Sequence, residues 1–339
     1  MRAVQIRAFG EPGLVLELAD LPEPPAPAAG QVLIGVEHAP INMNDLYLIQ
    51  GVYPVRPSLP SVVGNEGVGR VLAMGRGVDH LKVGDRVLVP LYSFSWRERL
   101  VAPAAGLFAL PEADPRQLAM LGINPPTAAL LLNESIDLRP GDWVAQNAAN
   151  SGVGRSLIPI AKARGLKTIN FVRRPELVPE LQAVGGDLVI VDQSGALDKV
   201  RATIGDARVP LGIDGVAGKA AATIAGVLSQ SGTLVVYALM SGEPVTIAPL
   251  DLIAKRVLVK GFFLNHPDVE LKIPGALRET APLVASGAIR VPIAAAYPLT
   301  AFREAVAHVQ RGGKVMFDVD GASELFDKVA VEAPQVQAP

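Results

Sequence analysis

The stretch Asp142-Trp-Val-Ala-Gln-Asn-Ala-Ala-Asn-Ser-Gly-Val-Gly154 decides the fold. Apolar and β-favouring residues run into a turn of small residues. Gly152 and Gly154 then open a helical pattern carried by Ser156, Leu157, Ile158, Ile160 and Ala161. A strand, a tight glycine turn and a helix make a dinucleotide pyrophosphate site. The turn's backbone can approach phosphates closely, and the helix N-terminus offers unpaired N–H groups at the positive end of its dipole. Ala149 and Ser151 stand where the usual G-x-G-x-x-G has its first two glycines, and only Gly154 keeps its place. Such a turn also serves plain helix–strand packing, so by itself it leaves both readings open.

The residues that follow favour the nucleotide. A second strand, Lys167-Thr-Ile-Asn-Phe-Val172, ends in Arg173-Arg174, about twenty residues past the glycines, where an NAD site carries an Asp or Glu for the ribose 2′-hydroxyl. Two guanidiniums suit a 2′-phosphate instead, because their forked donors make bidentate contact. A solvated arginine pair at a strand end is the plainer alternative. After the glycine turn, NADPH is the expected cofactor.

At 339 residues the chain is too long for one typical core, so two domains are expected. Half of the residues are apolar, yet no uninterrupted apolar run approaches the length of a membrane span. Met1-Arg-Ala-Val-Gln-Ile-Arg7 reads as an edge strand, without the apolar core of a signal peptide. The net charge of −2, with no basic tract, argues against nucleic acid or anionic membranes as partners. Cysteine is absent, which removes disulfides, thiolate zinc ligands and cysteine nucleophiles together and agrees with a cytoplasmic location.

Residues 1 to 118 read as β-rich. Short runs such as Gln31–Glu37, Gly67–Met74 and Asp85–Leu91 are broken by Pro and Gly clusters at the spacing of a small barrel or sandwich, and Leu21–Gly30 reads as a surface connection. Residues 119 to 264 alternate strands (143–147, 167–172, 187–191, 209–214, 233–239, 257–263) with helices, as in a doubly wound parallel α/β sheet. Residues 265 to 327 return to mixed strand and helix and include Lys314-Val-Met-Phe-Asp-Val319. Residues 328 to 339 lack periodicity and read as a flexible tail.

These features resemble the medium-chain dehydrogenase/reductase superfamily over nearly the whole chain. The resemblance implies a Rossmann domain plus a GroES-like barrel domain that the C-terminal segment rejoins. Zinc alcohol dehydrogenases of that superfamily carry a Cys early in the barrel domain and a Gly-His-Glu downstream. Here the corresponding places hold Asn42 and Gly64-Asn65-Glu66, and His38, His80, His266 and His308 show no ligand spacing. No metal is expected.

Within the zinc-free branch the chain resembles the mitochondrial-type 2-enoyl thioester reductases. Ile41-Asn-Met-Asn-Asp45, Ile49-Gln-Gly-Val-Tyr-Pro54, Gly64-Asn-Glu-Gly67, Gly122-Ile-Asn-Pro125 and Asn147-Ala-Ala-Asn-Ser-Gly-Val-Gly154 carry the likeness. That family reduces the 2,3 double bond of an enoyl thioester with NADPH. The resemblance puts the catalytic tyrosine on Tyr53, with Asn42 able to orient it or the cofactor. It puts cofactor contacts on Asn124, Asn150, Ser151, Gly152, Val153, Gly154, Arg173, Arg174, Tyr237, Ala238, Leu239, Met240, Phe262, Phe263, Leu264 and Lys314.

The chemistry fits these residue types. Hydride added to the β-carbon leaves an enolate that needs a proton at the α-carbon, and a phenol with a reference pKa of about 10 stays protonated at neutral pH. Tyr53 could equally be an ordinary turn aromatic were it not for the surrounding motif. The segment Leu91-Tyr-Ser-Phe-Ser-Trp-Arg97 departs from the family, which has a glycine-rich piece there, so Tyr92 and Phe94 would narrow any pocket that the loop borders. Quinone oxidoreductases of the same superfamily, or reductases of another activated alkene, are therefore the alternative enzymes. A catalytically silent NADPH-binding protein is the alternative outside enzymes. The apolar strand near Arg256-Val-Leu-Val-Lys-Gly-Phe-Phe263 is expected at a sheet edge, where in the superfamily two copies pair into a homodimer.

Overall fold

Six parallel strands form the sheet that the glycine turn implies. The structure, a computed structural model, describes residues 1–134 and 136–321. The expected tail at 328–339 lies outside the described residues. Contacts divide the chain into two units, Met1–Gly122 with the described residues from Pro292 onward, and Ile123–Val291.

In the second unit the strands run in the order Leu188–Val191, Lys167–Val172, Trp143–Gln146, Leu211–Asp214, Thr233–Val236 and Leu258–Gly261, all parallel. All six lie within the expected spans. Lys167–Val172 matches its span, and the other five are shorter by one to three residues, at either end. All but Leu258–Gly261 are largely buried, as strands of a sheet covered by helices are. Ile169, Phe171, Ile213 and Leu234 are buried in that core. The helix Gly152–Ala163 follows the first of these strands in chain order. The helix Ile273–Ala285 also belongs here: it packs on Asn124–Glu134, and Arg164 bonds Glu279 at 2.7 Å. The chain therefore rejoins the first unit at Pro292, and not at 265 as the sequence suggested, because this helix packs within the second unit.

The first unit is built on one long strand, Gln31–Ile41. It pairs antiparallel with Val68–Met74, Arg99–Pro103 and Lys314–Asp318, and the last of these pairs parallel with Ile293–Pro298. The register sets Val315 opposite Ile41, so Lys314 comes in beside Asn42 from a separation of 272 residues. Trp96 is fully buried and meets Phe317 edge-on, ring centroids 5.1 Å apart, which ties the returning strand to this core.

One expectation is corrected. Arg2–Ile6 is a strand but not an edge: it lies between Leu16–Asp20 and Ser61–Val62, antiparallel to both. Ala3, Val4 and Ile6 are all fully buried, so both faces of the strand are covered, and its sequence lacks the polar alternation of a half-exposed strand for that reason.

Candidate active site

Each unit carries its own group of polar residues around the motifs. In the first unit, Asn42 stands at the N-terminus of the helix Met43–Gln50, where its backbone N–H donates to the Asp45 carboxylate at 2.7 Å. That is the acidic half of a capping box, legible in the spacing of Asn42 and Asp45. The helix ends at Gly51, whose φ of 75° closes it in the left-handed conformation that glycine adopts without strain. An added Cβ there would come within 2.9 Å of Phe9. The chain then folds back so that the Val52 and Tyr53 amides both donate to the Tyr47 carbonyl. This fold-back is the physical content of Gln50-Gly-Val-Tyr-Pro54: it fixes where the Tyr53 side chain starts. The Tyr53 hydroxyl lies 3.3 Å from that of Tyr92. Burial pushes the Tyr53 pKa above the usual phenol value, while hydrogen bonds from Tyr92 and Asn44 act the other way.

Beside it lies a buried ionic cluster. Asn42 accepts from the Lys314 ammonium at 2.5 Å and donates to Glu66 at 2.7 Å. Asp45, fully buried, accepts also from the Asn65 amide at 2.8 Å. Its pKa is pushed up to about 7 by burial first and by the nearby Glu66 charge, with Lys314 pulling the other way. Burial lowers the Lys314 pKa while the two carboxylates raise it. Gly64, at φ 98°, permits the close approach to Trp96, since an added Cβ would sit 2.1 Å from its ring. A divalent metal does not fit this place. The donors at 42 and 65 are carboxamides, and an ammonium already supplies the positive charge. Among the described residues no group of three or more His, Cys, Asp or Glu is arranged to hold a metal.

In the second unit, Ser151 caps the helix Gly152–Ala163, its hydroxyl accepting from the Gly154 amide at 3.1 Å. A Cβ on Gly152 would lie 2.7 Å from the Asn124 carboxamide, and one on Gly154 would lie 2.6 Å from the Ala149 backbone. Gly154 therefore needs the glycine against fixed backbone, while a side chain at 152 would displace the Asn124 carboxamide. The Asn124 amide nitrogen is buried without a hydrogen-bond partner, and such a donor beside a helix N-terminus fits an anionic ligand. Asn147 bonds Asp214 at 2.6 Å and receives the Gly215 amide at 2.8 Å, which locks the ends of two neighbouring strands together. The Tyr237 hydroxyl bonds Ser151, and burial pushes its pKa up to about 12.

The structure thus brings Asn124, Ser151, Gly152, Gly154 and Tyr237 together, with Val153 buried behind them. Asn150, Arg173 and Arg174 are exposed, and Arg174 lies 3.5 Å from the similarly exposed Glu176. Ala238 is half-buried, Leu239 and Met240 are exposed, Phe262 and Phe263 are half-buried and Leu264 is buried. Lys314 belongs to the first unit, where it bonds Asn42. The amide of Asn42 bonds Lys314 on one side and Glu66 on the other, so the residue expected to orient Tyr53 or the cofactor also bridges the ionic cluster. Sequence reasoning did not single out Asp45, Glu66 or Asn147 for a role, although each lies inside a quoted motif.

Comparison with known proteins places this geometry. An alcohol dehydrogenase GroES-like domain matches residues 28–111, and a zinc-binding dehydrogenase domain matches 152–282. The mitochondrial enoyl-(acyl-carrier-protein) reductase of Rattus norvegicus is 36% identical over 318 residues, which is 90% of this chain and 84% of the relative. The solved complex of Etr1p with NADP and crotonyl-CoA superposes with a TM-score of 0.83 at 25% identity, covering 94% of this chain and 99% of that one. A mycobacterial quinone oxidoreductase superposes with a TM-score of 0.80 at 28% identity, covering 94% and 99%.

The buried cluster predicts a pH-dependent cost for Lys314→Met. Asp45 holds its proton more tightly folded than unfolded, so its contribution to stability is complete at low pH and is lost as pH rises through about 7. Removing the ammonium raises that pKa further and leaves Asp45 and Glu66 ionising without a cation. Urea unfolding should show the variant's deficit against the parent to be larger at about pH 8 than at about pH 5. A deficit independent of pH would mean that the ammonium does not act on the carboxylates.

Proposed function

The chain belongs to the family of the mitochondrial enoyl-acyl-carrier-protein reductases, within the medium-chain dehydrogenase/reductase superfamily, and on that premise we propose that it reduces the 2,3 double bond of an enoyl thioester with NADPH, without zinc. The observation that carries the reading is the Tyr53 hydroxyl, half-buried, held by its turn and hydrogen-bonded to a second phenol.

NADPH, when bound, supplies a hydride to the β-carbon. The second unit's residues would hold it. The Ser151–Gly154 turn and the Asn124 amide would hold the pyrophosphate, since a helix N-terminus and an unpartnered donor suit negative charge. Arg173 and Arg174, exposed at the end of the second strand, are free to fold onto a 2′-phosphate. Tyr237, Ala238, Leu239, Met240, Phe262, Phe263 and Leu264 complete the cofactor contacts in this proposal.

Tyr53 gives the proton. As the α-carbon takes up the electron pair of the former double bond, the Tyr53 O–H bond breaks and a C–H bond forms. Burial keeps the phenol protonated up to high pH, so the donor is in the required state throughout the neutral range. The Asn42–Lys314–Glu66 bridge keeps a cation in the first unit, which favours negative charge developing near it.

A quinone substrate is the second reading, favoured by the superposition on a quinone oxidoreductase and by the bulk of Tyr92 and Phe94. Its reduced oxygen can take a proton from solvent and needs no dedicated phenol. NADPH oxidation with crotonyl-CoA, longer trans-2-enoyl-CoA esters and quinones tests the choice. Tyr53→Phe should lower crotonyl-CoA turnover by at least about tenfold, a floor set below the roughly 10²–10⁴-fold typical of losing a general acid because water can substitute in part, at unchanged NADPH affinity. A near-normal rate would take Tyr53 out of the reaction and leave the quinone.

Cofactor choice rests on the arginine pair. Losing charge-assisted contacts to a 2′-phosphate costs about 1.5–3 kcal/mol, or roughly ten- to hundredfold in affinity. Arg173→Ala with Arg174→Ala should raise the KM for NADPH by that factor and leave the KM for NADH nearly as it was. Equal use of NADH and NADPH by the unaltered protein would contradict the assignment.

The proposed assembly is a homodimer. Leu258–Gly261 is the last strand of its sheet and is exposed along its whole length, with Leu258 62% and Val259 49% exposed. An apolar edge of this kind is stable in solution when another edge pairs with it. Light scattering at micromolar concentration should give twice the chain mass, and a monomer mass would refute the pairing.

A further inference from the structure

The loop Leu91–Arg97 does more than narrow space beside Tyr53. Tyr92 and Phe94 both take a φ of 60°, a backbone conformation that bulky side chains rarely adopt and that other contacts must impose. Those contacts are present. The Ser93 amide donates to Pro90, the Arg97 guanidinium donates to Ser93, and the Ser95 hydroxyl donates to the Glu66 carbonyl at 2.5 Å. Trp96, fully buried, anchors the loop's end. The loop is therefore held along its length, in a conformation that brings the Tyr92 hydroxyl to 3.3 Å from that of Tyr53.

Resting on the reading of Tyr53 as proton donor, we propose that Tyr92 is a positioning residue for that proton transfer: its hydroxyl donates to the Tyr53 oxygen and stabilises the charge that develops there. The Tyr53 O–H bond breaks, its proton forms the new C–H bond at the α-carbon, and the electron pair stays on the Tyr53 oxygen. Tyr92 keeps its own proton, and its hydrogen bond strengthens as its acceptor becomes a phenolate. A proton from solvent then restores Tyr53. Burial of Tyr53 works against giving up a proton, and the Tyr92 bond offsets that in the same direction as the proposal requires.

Tyr92→Phe tests this, because it removes the hydroxyl and keeps the ring and its packing. A hydrogen bond to a charged or charging group supports an expectation of about tenfold lower kcat for crotonyl-CoA, with the KM for crotonyl-CoA and NADPH within about twofold of the parent. The alkaline limb of the kcat profile, which reports loss of the Tyr53 proton, should move to higher pH. In a Tyr53→Phe background the same substitution should change kcat by less than about twofold. A single variant within twofold of the parent overturns the proposal, as does a tenfold loss that persists in the Tyr53→Phe background. If Tyr53→Phe alone is silent, the donor assignment itself fails; a slow Tyr92→Phe enzyme beside it would make Tyr92 the donor in its own right.

Discussion

The pairing of Lys314 with Asn42 is the contact on which the first unit's polar site depends. It joins the last described strand to the first helix of the site, and it places one ammonium against two buried carboxylates. Such a cluster is expensive to bury and is held only when each member has its partners. Asp45 takes two backbone amides, Glu66 takes the Asn42 carboxamide, and Lys314 faces both acids. The same bonds fix the N-terminus of Met43–Gln50, and the other end of that helix sets Tyr53. Charge balance and the position of the phenol are thus one problem with one solution.

The second unit solves a different problem with backbone. Gly152 and Gly154 let the helix start against Asn124 and Ala149, where any Cβ would collide. Ser151 caps that start from one side and bonds Tyr237 on the other. The result is a helix N-terminus with close access and an unpartnered buried amide, which favours a bound anion over water. Ala149 and Ser151 in place of the usual glycines are accommodated because Ala149 is buried under the turn and Ser151 works as a cap.

Much of this is legible in the sequence where the cause is local. The six parallel strands follow from apolar runs punctuated by turn residues, and the turn follows from Gly152 and Gly154. The edge position of Leu258–Gly261 follows from its being the last strand of the alternating series. What was not legible depends on long-range pairing. Lys314 lies 272 residues from Asn42, and only the strand register shows that the two meet. Met1–Arg7 looks like an edge because nothing nearby tells that Ser61–Val62 covers its far side. Tyr92 could be read as bulk, whereas its direction comes from a backbone conformation that no propensity foretells.

Product analysis puts the whole account at risk in one experiment. Crotonyl-CoA reduced in heavy water with unlabelled NADPH should yield butyryl-CoA carrying one deuterium at the α-carbon and none at the β-carbon. In the proposed mechanism the proton comes from the solvent-exchanging Tyr53 phenol and the hydride from the cofactor. Failure to form butyryl-CoA while a quinone is reduced, or solvent deuterium at the β-carbon, would contradict it.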